Sequence, residues 1–127
     1  MSGVLLRLVV AGHVLAAFAQ SVFAGQFLAG SDSQVVFHEV TGWALPGICA
    51  VQIVLAVVLL RSGATSLGLV FSSVFVFLAE GLQIGTGYGR FLNVHVPLGV
   101  IIAAVVSWQA IAVFFRKTPV EAPRNEA

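Results

Sequence analysis

The chain has 127 residues, 59% of them hydrophobic and only 9% charged, with a mean hydropathy of +1.05. Soluble domains carry about 25% charged residues, so this composition cannot cover a water-facing surface and assigns that surface to lipid. A net charge of +1 leaves no electrostatic case for nucleic acid. The length suits one domain. The single cysteine, Cys49, cannot close an internal disulfide and reads as a small core residue.

A membrane-crossing helix needs about 20 mostly apolar residues. Four segments meet this requirement, about 4–28, 37–60, 65–85 and 91–115. The breaks between them carry turn chemistry: Gly30-Ser31-Asp32-Ser33, Arg61-Ser62-Gly63 and Gly85-Thr86-Gly87-Tyr88-Gly89-Arg90. Backbone groups in lipid must be bonded internally, which favours helices, and short connections make sequential helices antiparallel neighbours. The expected fold is therefore all-α: an integral membrane four-helix bundle of two tandem helical hairpins over residues 1–117. Residues 118–127 are polar and contain proline, and a disordered cytoplasmic tail is expected there. Arg7, an apolar run and Ala17-Phe18-Ala19 resemble the three regions of a signal peptide. Helix 1 is nevertheless expected to be retained, because its removal would leave half of an internal repeat empty.

That repeat is the chain's most informative pattern. Gln26, Gly30, His38, Gly42 and Gln52 recur as Gln83, Gly87, His95, Gly99 and Gln109, each 57 residues later, and Phe18 and Phe75 keep the same offset. Each unit is a hairpin entering from the same side, so the repeat is parallel, about an axis along the membrane normal. His38 and His95 are then expected at one depth on helices 2 and 4. Both sit on inward stripes: His38, Gly42, Leu45, Cys49 and Gln52 on one helix, His95, Gly99, Ile102, Val106 and Gln109 on the other. Pro97 falls where the start of a helix tolerates proline, and Pro46 predicts a kink in helix 2.

Two polar layers follow. One holds His38, His95, Gln26 and Gln83, with Glu80 one turn deeper; the other, about 21 Å further along helix 2, holds Gln52, Gln109 and His13. His13 has Val70 at the equivalent repeat position, and so is expected to lack a partner. Arg7, Arg61, Arg116, Lys117 and Arg124 fall on one side, against Arg90 on the other. Both termini are therefore expected in the cytoplasm and the His38/His95 layer outside.

Neutral imidazole ligates haem iron, and b-type haems are held by two histidines on facing helices. His38 and His95 are the candidate axial ligands, and Gly42 and Gly99, one turn below them, can leave a slot for a flat ligand or let helices approach closely. Glu80, Gln26, Gln83 and His13 form a possible secondary polar site. A divalent metal held by the two histidines with Glu80 or Glu39 is the alternative ligand, and a proton or quinone role is a further one. Duplication also copies purely structural residues. Gly85-Thr86-Gly87-Tyr88-Gly89 superficially resembles a nucleotide loop, but no strand precedes it.

Phe27-Leu28-Ala29-Gly30, His38-Glu39 with Gly42, Leu82-Gln83 and His95-Val96-Pro97-Leu98-Gly99 together resemble an uncharacterised family of small four-helix prokaryotic membrane proteins, over about residues 10–117. The arrangement is more loosely similar to four-helix b-type cytochromes of the cytochrome b561 superfamily, although His13 lacks the second partner that such proteins usually show. The uncharacterised family has no assigned activity to carry over; the spans and the histidine pair themselves lead to the expectation of a multi-pass protein of the prokaryotic inner membrane binding haem b. Its expected role is electron transfer or redox sensing, beside a larger membrane redox complex or as a homodimer, rather than as a stand-alone enzyme. A cofactor-free accessory subunit and a small proton-coupled transporter are the competing expectations.

Overall fold

The computed structural model describes residues 2–115, so the expected tail and the basic residues Arg116, Lys117 and Arg124 lie outside the described residues. Four helices follow one another: α1 Ser2–Leu28, α2 Gln34–Arg61, α3 Leu67–Tyr88 and α4 Leu92–Phe114. Each is long and apolar enough to cross a membrane, which makes the chain a multi-pass membrane protein. The second and third helices are longer than the apolar runs suggested. Helix α2 begins at Gln34, because polar residues just outside the apolar run still continue the helical hydrogen bonding. Helix α3 passes through Gly85 and Gly87 to Tyr88. There the Thr86 hydroxyl donates to the Leu82 carbonyl at 2.9 Å, satisfying itself within the helix. Its start is set by Ser66, whose Oγ accepts from the Leu69 amide.

All three connections use the same C-terminal cap. Ser31 N–H donates to Gln26 O and Gly30 N–H to Phe27 O. Ala64 with Gly63, and Phe91 with Arg90, repeat this pair of bonds. The pattern needs a left-handed residue just past the helix. Gly30 (φ 98°) and Gly63 (φ 72°) adopt it without strain, whereas Arg90 (φ 57°) carries a Cβ there.

Helix α1 packs on α2 and α4, and α3 packs on the same two, while the diagonal pairs make no close backbone approach. The core lies on the axis of this ring. Leu45, Cys49, Gln52 and Ala56 of α2 are buried, as are Ile102, Val106 and Gln109 of α4. These positions keep the 57-residue offset. The first helix of each hairpin does not. Leu6, Val10, His13 and Ala17 are buried in α1, and their counterparts in α3 are Leu69, Ser73, Val76 and Glu80, each 63 positions later. Gln20 and Gln83 extend this register. The offset of 57 between Gln26 and Gln83 therefore does not describe α1 and α3. Six more residues separate Gln20 from His38 than Gln83 from His95: three in the longer end of α1, two in the longer first connection and one at the start of α2.

Pro97 is the sixth residue of α4, past the turn that tolerates proline, so it withholds a helical bond from the Asn93 carbonyl. Pro46 likewise withholds one from Gly42, and α2 continues through it. The outer faces carry Leu8, Leu15, Val54, Val58, Phe71, Leu78, Val100 and Ile111, all exposed. This is the surface lipid must cover.

Relief of the left-handed strain gives a first test. Arg90→Gly is expected to stabilise the protein by about 0.5–1 kcal/mol, read as a higher midpoint in thermal unfolding in detergent. Gly30→Ala, at φ 98°, is expected to lower the midpoint.

Candidate functional site

The polar side chains sort into a closed layer and an open one. The closed layer ties all four helices together. His13 Nδ1–H donates to Gln52 Oε1 at 3.0 Å, and His13 Nε2 lies 2.7 Å from Glu80 Oε1. Gln52 Nε2–H donates to Ser73 Oγ at 2.8 Å and to Gln109 Oε1 at 2.9 Å. Gln109 Nε2–H donates in turn to Ser72 Oγ at 3.0 Å. Cys49 lies beside them, its thiol donating to the Ser73 carbonyl at 3.3 Å. His13, Gln52, Ser73 and Gln109 are fully buried, and Glu80 nearly so. These contacts cross both diagonals, α1 to α3 through His13–Glu80 and α2 to α4 through Gln52–Gln109. In a membrane interior such bonds contribute about 0.6 kcal/mol each, up to roughly 2. Here they also link helices whose backbones stay apart, alongside the apolar cluster on the axis.

His13 was expected to lack a partner and Glu80 to sit with the other layer; instead the two pair. The corrected register explains why. Val76 and Ala17 occupy the positions symmetric to His13 and Glu80, so the pair departs from the pseudo-two-fold. A small residue opposite each leaves room for the pair to meet near the axis.

The open layer lies nearer the 29–33 and 89–91 connections. The rings of His38 and His95 face each other with centroids 6.1 Å apart and planes at 65°. Each ring is held by one nitrogen. His38 Nδ1–H donates to the Gln20 carbonyl at 3.2 Å, and His95 Nδ1–H to the Gln83 carbonyl at 2.9 Å. A carbonyl only accepts, so both Nδ1 atoms carry the proton and both Nε2 atoms keep a lone pair.

Gln20 is the residue that sequence reasoning missed. Besides its carbonyl, its Nε2–H donates to the His38 carbonyl at 2.9 Å and to the Thr41 hydroxyl. Its equivalent is Gln83, a match visible only at the offset of 63. Gln26, expected in the site, is exposed and lies outside the cavity lining.

Gly42 and Gly99 each receive one of these glutamine amides. A Cβ at Gly42 would stand 3.7 Å from Gln20 Nε2, and one at Gly99 would stand 3.0 Å from Gln83 Nε2. Gly99 therefore makes room for a crossing side chain, whereas at Gly42 a Cβ would make only an ordinary contact. Gly87, which the repeat paired with the turn residue Gly30, does a different job. A Cβ there would meet the His95 ring at 3.0 Å, so its lack of a side chain is what lets that ring lie against α3.

These residues border a cavity of about 710 Å³, reaching from Leu28, Val35 and Leu92 down to Leu45, Glu80 and Ile102. Its lining includes His38, His95, Gly42, Gly99 and Gln83. At the rim, Trp43 Nε1–H donates to the Tyr88 hydroxyl at 3.2 Å, and Tyr88 donates to Glu39. Glu39 is exposed there, as an interfacial residue should be. Among the described residues, two buried side-chain oxygens lack a partner, Glu80 Oε2 and Gln83 Oε1. Both residues line the cavity. No family model, curated protein or solved structure matches the chain, so the site is interpreted from its own chemistry.

Gln52→Leu would strand His13 Nδ1–H, Ser73 and Gln109 in a sealed layer. It is expected to cost about 1–3 kcal/mol, read as a lowered unfolding midpoint. The lipid-facing Val54→Ala, in the same helix, is expected to change stability by under about 0.5 kcal/mol.

Proposed function

We propose that the chain is a small b-type haem protein of the membrane, with His38 and His95 as axial ligands, acting in electron transfer or redox sensing. The observation that carries this reading is the histidine pair itself. Two imidazoles bound through Nε2 to one metal, at bonds of ~2 Å, put their ring centroids roughly 6.3 Å apart. The separation here is 6.1 Å. Donation of each Nδ1–H to a carbonyl is the outer-shell arrangement that orients metal-binding histidine and raises its basicity. The cavity volume falls within the range of roughly 300–1,000 Å³ typical of cofactor sites, and its lining is mainly apolar.

When bound, haem supplies reversible one-electron exchange. The chain's own residues hold and shield the site. Gln20 and Gln83 fix the imidazole tautomers, and Gly87 gives the His95 ring its place. Of the two glutamine amides beside the glycines, Gln83 is the one free to turn, since its Oε1 has no partner. Gln20 is held by Thr41 and the His38 carbonyl. Ile84, Val96 and Val100 add apolar surface to the lining.

The proposed location is the prokaryotic inner membrane. Arg7 and Arg61 lie at one end of the bundle, and Asp32, Glu39 and Arg90 at the other. The positive-inside rule then assigns the first end to the cytoplasm and the histidine pair to the outer half. A site near one surface suits exchange with a larger redox partner on that side.

Protein purified in detergent from haem-replete cells is expected to show a Soret peak and a reduced α-band. His38→Ala and His95→Ala are each expected to abolish the six-coordinate spectrum. Gly87→Ala is expected to disturb it, because the added Cβ meets the His95 ring; Gly85→Ala, with nothing within 4 Å, is expected to leave it intact. Colourless wild-type protein would overturn the haem reading in favour of an accessory or transport role.

A further inference from the structure

We propose that His13, Cys49 and Glu80 form a second, fully buried site for a divalent metal of the zinc class, separate from the histidine pair. One ligand atom from each residue lies within 4.8 Å of the others, and all three residues are buried. They come from α1, α2 and α3. Bound zinc sets nitrogen, oxygen and sulfur ligands about 2.0–2.3 Å from the ion, hence roughly 3.3–3.6 Å from one another in a tetrahedron. The 2.7 Å contact between His13 and Glu80 would open by roughly 0.6 Å to reach this spacing, and the cysteine would close in. A nitrogen, thiolate and carboxylate set favours zinc over magnesium or calcium.

The supporting shell is already in place. His13 Nδ1–H is held by Gln52, leaving Nε2 as the ligand atom. Gln52 is held by Ser73 and Gln109. Glu80 Oε2 is the independent sign of a missing partner: a buried carboxylate oxygen with none among the described residues. Glu80 also lines the cavity, so one edge of the site borders a space that can hold a fourth ligand.

Charge is conserved in the exchange. The 2.7 Å contact between Nε2 and Oε1 needs one shared proton, and the thiol carries another. An incoming divalent ion replaces both, and the site stays neutral with an ionised Glu80 and Cys49. That balance matters where lipid makes uncompensated charge costly. The titratable groups around the site are His13, Cys49 and Glu80 themselves, with His38 of α2 and His95 of α4 across the cavity; beside the site itself α4 places the neutral Gln109.

Cys49 is the chain's single cysteine, so a thiolate-to-metal signal can have no other source within one chain. Full-length protein in detergent, equilibrated with Co²⁺ as the probe, is expected to bind one ion here. The expected spectrum has tetrahedral d–d bands and a near-ultraviolet thiolate-to-cobalt band, both lost on adding Zn²⁺. Cys49→Ala is expected to remove the thiolate band and weaken binding by roughly a hundredfold or more, and Glu80→Gln to weaken it 10–100-fold, each with unchanged helical circular dichroism. Wild-type protein that takes up no Co²⁺, or takes it up without a thiolate band, would overturn the proposal. The haem spectrum is read separately, so a colourless protein that still gives the thiolate band would overturn the haem reading alone.

Discussion

Lipid offers no hydrogen-bond partner, and that single constraint arranges this molecule. Every polar side chain placed in the spans has to find its partner inside the bundle. Gln52 and Gln109 meet across one diagonal, and His13 and Glu80 across the other. Because the diagonal helices make no close backbone approach, these side chains and the apolar cluster beside them span the axis. The same rule makes the exceptions informative. Where a buried oxygen such as Glu80 Oε2 or Gln83 Oε1 has no partner, something about the site is left incomplete.

The contrast between the two layers is where structure turns into chemistry. In the closed layer both nitrogens of His13 are engaged, and the ring serves packing as well as any ligand. In the open layer each histidine spends only Nδ1, on a carbonyl of the neighbouring helix. The remaining lone pairs belong to two rings on opposite sides of a cavity.

Much of this was legible in the sequence. Apolar runs and turn residues located four helices, because the bilayer sets their length and the left-handed caps favour Gly30 and Gly63. The offset of 57 correctly matched His38 to His95 and Gln52 to Gln109, since α2 and α4 share one register. It failed for α1 and α3, where a longer end of α1, a longer first connection and an earlier start of α2 shift the register to 63. Gln20 was overlooked for that reason, Gln26 was wrongly included, and His13 was set against Val70 instead of Val76. The His13–Glu80 pair was beyond any repeat argument, because it breaks the symmetry and depends on two helices meeting across a diagonal. That Gly42 and Gly99 receive glutamine amides was equally hidden, since sequence spacing shows the missing side chain but not what enters its place.

The central claim is that His38 and His95 together bind one haem iron. The most direct measurement is the electron paramagnetic resonance spectrum of the oxidised, haem-loaded protein, with haem counted per chain. The account predicts one haem per chain and a low-spin ferric signal, as two strong axial nitrogens require. A high-spin signal, or a protein that retains no haem, would contradict it.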